Sequence, residues 1–167
     1  MPEFLGLEIS RASLALRVLL ASLAAAASFA IYYYLPANIG PLVSAYLPSS
    51  SANYGSGVSS VLSSLISPLL LAVGLLLAVS SFLSILLKGT KVHGAIVMMA
   101  GALYATYTYL VFQGGSIRVD IPSGSLIQNV SGSIEVQLGL LMLLFILPSL
   151  LTIVKGGLIL ASANIED

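Results

Sequence analysis

Residues 18–87 read VLLASLAAAASFAIYYYLPANIGPLVSAYLPSSSANYGSGVSSVLSSLISPLLLAVGLLLAVSSFLSILL, seventy consecutive positions without an Asp, Glu, Lys or Arg. Two further uncharged stretches follow, Val92 to Ile117 and Val136 to Val154. A helix rises about 1.5 Å per residue, so roughly 20 apolar residues cross the ~30 Å hydrocarbon core of a bilayer. Several such windows exist here, and they point to a chain solvated by lipid.

The whole sequence agrees. Charged residues make up 7% of it and hydrophobic ones 58%, against about 25% charged in an ordinary soluble domain. Six acids balance six bases, so no basic surface for nucleic acid is expected. No cysteine is present, which removes disulfides, thiolate catalysis and thiolate metal sites. Arg11 and Arg17 precede an apolar run ending in Ala24–Ala30, the outline of a secretory signal. The run to Leu35 is longer than a typical signal core, and the segment reads as an uncleaved anchor.

The fold expected is an all-α integral membrane domain over 1–167 with four transmembrane helices near 12–35, 68–87, 92–112 and 137–155. Pro36 should stop the first span, since proline lacks the N–H that continues a helix and biases Leu35 away from it. Residues 36–57 hold three prolines and three glycines and read as an uncharged surface loop. Val58, Val61, Leu62, Leu65 and Ile66 recur at helical spacing opposite serines, an amphipathic lead-in over 58–67. Ser67–Pro68 is the signature of an N-cap followed by proline at the first helical position. Lys88–Lys91 is a short polar turn, so the second and third spans are antiparallel neighbours.

After Gln113 the period changes from helical to alternating. Ile117, Val119 and Ile121 interleave with Arg118 and Asp120, and Ile134 and Val136 with Ser133 and Glu135, which predicts a β-hairpin flap over 114–136. Placing Val119 opposite Ile134 sets Ile117 against Val136 and Arg118 against Glu135, pairing like with like and charge with opposite charge. Pro148 should bend the last span. Arg11, Arg17, Lys88, Lys91 and Lys155 all fall on one side of this four-span layout, so the positive-inside rule puts both termini in the cytoplasm and the hairpin outside the cell membrane. The eight tyrosines fall toward the other side as an aromatic belt.

Few residues offer chemistry. Arg17 lies inside the first span, where it either snorkels to the interface or meets a lipid phosphate or a partner's acid. His93 is the lone histidine and has no companions for metal or haem; Met98 and Met99 read as packing. No cofactor is expected. Gly74, Ala78 and Ser81 in the second span, and Gly94 and Gly101 in the third, lie on small-residue faces that let helices approach closely, toward a partner or within the bundle. Asn129–Val130–Ser131 fits the N-glycosylation pattern in the flap. No P-loop, dinucleotide fingerprint, HExxH or nucleophile triad occurs.

The leading functional expectation is a non-catalytic accessory subunit that packs against other membrane subunits, or against itself, in a larger complex. The alternative is an oligomeric channel or carrier for a small neutral solute, lined by Ser80, Ser81, Ser84, Thr106 and Thr108. A structural subunit of a lipid-containing assembly is a further alternative. A lipid-acting enzyme ranks below these, because its candidate groups Arg118, Asp120, Glu135 and His93 fall on opposite faces of the membrane.

Overall fold

The computed structural model describes residues 3–4, 7–8, 11–46, 66–90, 92–121 and 132–163. Four helices in it are long and apolar enough to cross a membrane. The first is a composite rod: α1 (Arg11–Phe29), a π-helical turn (Ala30–Tyr34) and α2 (Leu35–Ala37), followed after Asn38 by the short α3 (Ile39–Tyr46). The others are α4 (Pro68–Leu86), α5 (His93–Val111) and α6 (Gly139–Ala163). Two small antiparallel hairpins complete the fold, β1–β2 (Glu3–Phe4 with Leu7–Glu8) and β3–β4 (Ser116–Ile121 with Gly132–Gln137).

Span α4 begins where its sequence says. The Ser67 hydroxyl accepts the Leu70 N–H at 3.1 Å from an extended backbone, and Pro68 occupies the first helical position. The hairpin register is also the one expected, with Ile117 opposite Val136, Arg118 opposite Glu135 and Val119 opposite Ile134. Gln113, Gly114 and Gly115, all at positive φ, turn the chain sharply out of α5, a path that glycine follows without steric cost. The Gly115 carbonyl then accepts the Leu138 N–H at 2.7 Å, tying the start of α6 to the end of α5.

Three boundaries differ from expectation. Pro36 does not stop the first span. A π turn just before it, with the Leu35 N–H on the Ala30 carbonyl, adds a residue to the ladder, so the helix runs past the proline to Ala37. The Asn38 amide donates back to the Tyr34 carbonyl at 2.8 Å, and α3 occupies part of what reads as loop. Lys155 does not end α6, which continues to Ala163; a single lysine at the interface keeps its ammonium wet while its stem lies along the helix. Ile66 and Ser67 are non-helical, so α4 starts afresh at Pro68 rather than extending a longer kinked helix. The rest of the lead-in (58–65) and Asn129 lie outside the described residues.

The helices pack in sequence order, α1 on α4, α4 on α5 and α5 on α6. Lipid provides no hydrophobic drive for this, so close backbone approach and interhelical hydrogen bonds must hold the helices together. Gly74 supplies the approach between the first two. Pro36 deprives the Tyr32 carbonyl of its usual donor, and that carbonyl lies against the Cα of Gly74, in the space a Cβ would fill. Between α5 and α6 the approach is reciprocal. A Cβ on Gly94 would stand 2.7 Å from the Gly156 carbonyl oxygen, and one on Gly156 the same distance from the Gly94 carbonyl oxygen. Seven residues along each helix, Gly101 meets the Ser149 carbonyl in the same way. The outward faces carry leucine, valine, isoleucine and phenylalanine, as lipid requires.

Because the atoms facing Gly74 are backbone, they cannot rotate away. Gly74→Val is expected to destabilise the protein by about 2–3 kcal/mol, measured by reversible unfolding in mixed detergent micelles. Gly157→Ala is the contrast: a Cβ there meets only the Met98 sulfur at 4.0 Å, so the change should fall within about 0.5 kcal/mol.

Candidate functional site

A cavity of about 480 Å³ opens between the four helices at the end that carries Lys88 and Lys155. Its walls follow from the local sequence. The Ser80-Ser81 pair and Ser84 lie on the face of α4 turned toward α1 and α5, where small hydroxyl residues leave space that leucine would fill. Ala24 and Ser28 of α1, Val97 and Ala100 of α5, and Thr152 of α6 complete the lining, with Tyr104 at the inner end. Lys88, His93 and Lys155 stand at the mouth. From His93 to Tyr104 is eleven residues of helix, so the cavity penetrates roughly 16 Å, about half the hydrocarbon thickness.

The deep hydroxyls are satisfied within the protein. Ser80 and Ser81 both donate to the Leu77 carbonyl, at 2.9 and 2.8 Å, and Ser28 donates to the Ser81 oxygen at 2.9 Å. The Thr152 hydroxyl donates to the Pro148 carbonyl at 2.8 Å. Their protons are used within the bundle. The mouth differs. His93 Nδ1 is buried and has no hydrogen-bond partner, and the charges of Lys88 and Lys155 both act on its ring. No carboxylate is among the described lining residues.

A second cavity, of about 640 Å³, lies toward the hairpin end. Aromatic rings build it: Tyr32, Tyr107, Phe112 and Phe145, with Thr108 and Pro148. Tyr104 and Thr152 line both cavities. The Tyr32 ring meets Tyr104 and Tyr107 edge-on, with centroids 5.5 and 5.2 Å apart, so these tyrosines pack between helices. Tyr32 itself sits on the π turn of the first span.

Arg17 reaches the end of the neighbouring span. Its Nη1 donates to the Lys88 carbonyl at 2.9 Å, placing a cation at the C-terminal end of α4, where the helix dipole favours one. This bond ties α1 to the turn between α4 and α5. Gly74, Ala78, Ser81, Gly94 and Gly101 are turned into the chain's own bundle: Ala78 is buried, Ser81 is bonded to Ser28, and the three glycines face backbone of neighbouring helices. Of the hydroxyls expected along a solute path, Ser80, Ser81 and Ser84 line the first cavity and Thr108 the second. Thr106 is exposed, its hydroxyl on the Ala102 carbonyl.

Sequence reading missed Ser28 and Thr152 as lining residues and Gly156 as the partner of Gly94. The signal for Gly156 was present. Ser149 and Gly156 repeat the seven-residue spacing of Gly94 and Gly101, the mark of one face on each of two antiparallel helices. No group of three or more His, Cys, Asp or Glu able to hold a metal occurs among the described residues. Compared with known proteins, the chain matches no family model, no curated protein and no solved structure.

The Ser28–Ser81 bond has a measurable weight. Interhelical hydrogen bonds in membranes average about 0.6 kcal/mol by double-mutant cycle, with a maximum near 1.7. Ser28→Ala and Ser81→Ala are expected to couple within that range when unfolding free energies of the single and double variants are compared. Strict additivity would show that the bond contributes nothing.

Proposed function

We propose that this multi-pass membrane protein is a carrier for a small polar solute in the cell membrane, with the Lys88 end in the cytoplasm and the β3–β4 hairpin outside. The observation that supports it is the pair of cavities, one toward each end of the bundle, with Tyr104 and Thr152 as their shared wall. Together they outline a path across the bilayer that is closed where Tyr32 packs against Tyr104. That closure stands on a π turn, an element common at functional sites and one able to change register locally. A carrier needs two arrangements of such a barrier, and α1 bears the ring that would move. The orientation rests on the cationic residues of the Lys88 end.

Carriage suits this geometry better than catalysis does. His93 begins α5, whereas Asp120 and Glu135 belong to the hairpin beyond its other end. Nineteen helical residues separate the two sets, about 28 Å at 1.5 Å per residue. No general acid–base pair spans that distance.

A second reading, the accessory subunit, keeps one specific support. The small-residue faces are spent within the bundle, but α1 presents a shallow apolar groove to the outside, with Ala15, Ser22 and Ala26 flanked by Leu19 and Leu23. It runs along the span with the least burial of the four. A partner helix laid there would gain the backbone approach that lipid chains do not provide.

The absence of cysteine gives the carrier reading a clean test. Water-soluble thiol reagents attack the thiolate, which forms only where water reaches. Ser84→Cys in sealed vesicles should react at least tenfold faster than Leu143→Cys, whose parent side chain is 61% exposed on the outer face, and from the Lys88 side only. Equal inertness of both would refute a hydrated path. For the second reading, purification from native membranes in mild detergent should yield a stable assembly that Ala26→Leu disrupts. A single monomeric species would exclude it.

A further inference from the structure

We infer that the mouth of the first cavity is a phosphate-binding site formed by Lys88, Lys155 and His93, and that a phosphate group is what the protein draws into the bundle. The inference rests on the solute-path reading insofar as it requires the cavity to be open at the Lys88 end.

The argument begins with unbalanced charge. Two ammonium groups line one recess, both on exposed side chains at the membrane edge, where they are hydrated and open to an anion. In the sequence no Asp or Glu occurs between Glu8 and Asp120, nor between Glu135 and Glu166, so the helices that build the recess contribute no carboxylate. Arg17 adds a third cation beside them, but its Nη1 is engaged with the Lys88 carbonyl. It therefore holds the turn in place and leaves the lysine side chain to the cavity.

The uncharged groups at the mouth point the same way. The first turn of α5 carries no side-chain cap, and the positive end of its dipole therefore faces this region. His93 Nδ1, buried and unpartnered, is a polar atom that a buried site must satisfy; with the other ring nitrogen donating to the Ser84 backbone, it is an acceptor, and the P–OH of a hydrogen phosphate supplies the donor. Lysine ammoniums are compact point charges that take a tetrahedral phosphate from any direction, whereas the flat fork of arginine fixes one orientation. Deeper in, the hydroxyls of Ser28, Ser80 and Ser81 already donate internally. The recess thus has a cationic rim, matched by the phosphate of a phosphorylated polar molecule or of a phospholipid headgroup entering between the helices.

The test uses the full chain in nanodiscs of zwitterionic phosphatidylcholine, titrated with inorganic phosphate, and in parallel nanodiscs containing phosphatidylglycerol, analysed by native mass spectrometry. Saturable phosphate binding that weakens at least tenfold in Lys88→Gln/Lys155→Gln and persists in Arg118→Gln supports the site with a soluble ligand. Retention of one phosphatidylglycerol per chain, lost in the same double variant, supports it with a lipid headgroup as the source. The single variant Lys155→Gln, at an exposed position, guards against misfolding and should give an intermediate loss, with helical circular dichroism unchanged in every variant. No phosphate binding and no lipid retention, or binding indifferent to both lysines, would overturn the inference. Ser84→Cys labelling separates the two proposals: rapid labelling without phosphate binding leaves the path and removes the anion site.

Discussion

The contact between the Tyr32 carbonyl and Gly74 is the constraint from which most of this structure follows. Pro36 leaves that carbonyl without a helical donor, the π turn carries the first span past the proline, and only a residue without Cβ can receive the displaced backbone. Had Pro36 stopped the helix as its chemistry suggests, Tyr32 would lie at a frayed end. Instead its ring is held between helices against Tyr104 and Tyr107, closing one cavity from the other. At the opposite end of the same helix pair, Arg17 reaches the Lys88 carbonyl. Two backbone carbonyls, one freed by proline and one left by a helix terminus, thus fix α1 on α4 at both ends, with the Ser28–Ser81 bond between them.

Where backbones touch, little room remains; where they diverge, a cavity opens. The α5–α6 pair is drawn together at Gly94–Gly156 and again at Gly101–Ser149, two contacts seven residues apart. The α1–α4 pair closes at Gly74. Between these pairs stand Ala24, Ser28, Ser80, Ser81 and Ala100, side chains too short to meet across the gap. An apolar void of this size would be filled or collapsed by packing forces, since interiors hold few voids larger than a water molecule. This one opens past Lys88 and Lys155 and carries hydroxyls in a largely apolar wall, so it can hold water or solute. The choice of serine and alanine over leucine on these inner faces, in a chain rich in leucine elsewhere, is therefore the most functional statement the helices make.

Much of the fold was legible because it depends on local rules. The Ser67–Pro68 cap, the Lys88 turn and the alternation of residues 116–121 and 132–137 each carry their signal within a few residues, and the structure places them as read. The departures are all cases where a distant residue outweighs a local one. Pro36 breaks helices in isolation but not where Gly74 can accept the consequences. Lys155 ends a hydropathy window but not a helix whose backbone bonds continue. The candidate site was less legible. Ser28 and Thr152 are unremarkable in sequence, His93 stands out only as the lone histidine, and the three meet only through the packing order of four helices, which hydropathy does not encode. The β1–β2 hairpin gave no alternation long enough to detect.

The separation of satisfied from unsatisfied polar groups bears most directly on function. A polar group in a membrane protein serves structure when its hydrogen bonds are complete within the fold, because removing it then costs stability alone. Ser80, Ser81, Ser28 and Thr152 meet that condition through their donors, and Arg17 does so through Lys88. His93 Nδ1 does not, and two ammonium groups beside it have no carboxylate on the helices that carry them. Partner packing along α1 leaves these groups unexplained, since the α1 groove lies on the outer face of the span whose inner face lines the cavity. An occupant that brings negative charge to the mouth balances both ammonium groups. The accessory-subunit and carrier readings therefore address different surfaces of the same helix, and the paired cations at the mouth suit an anionic ligand whether or not a partner lies outside the bundle.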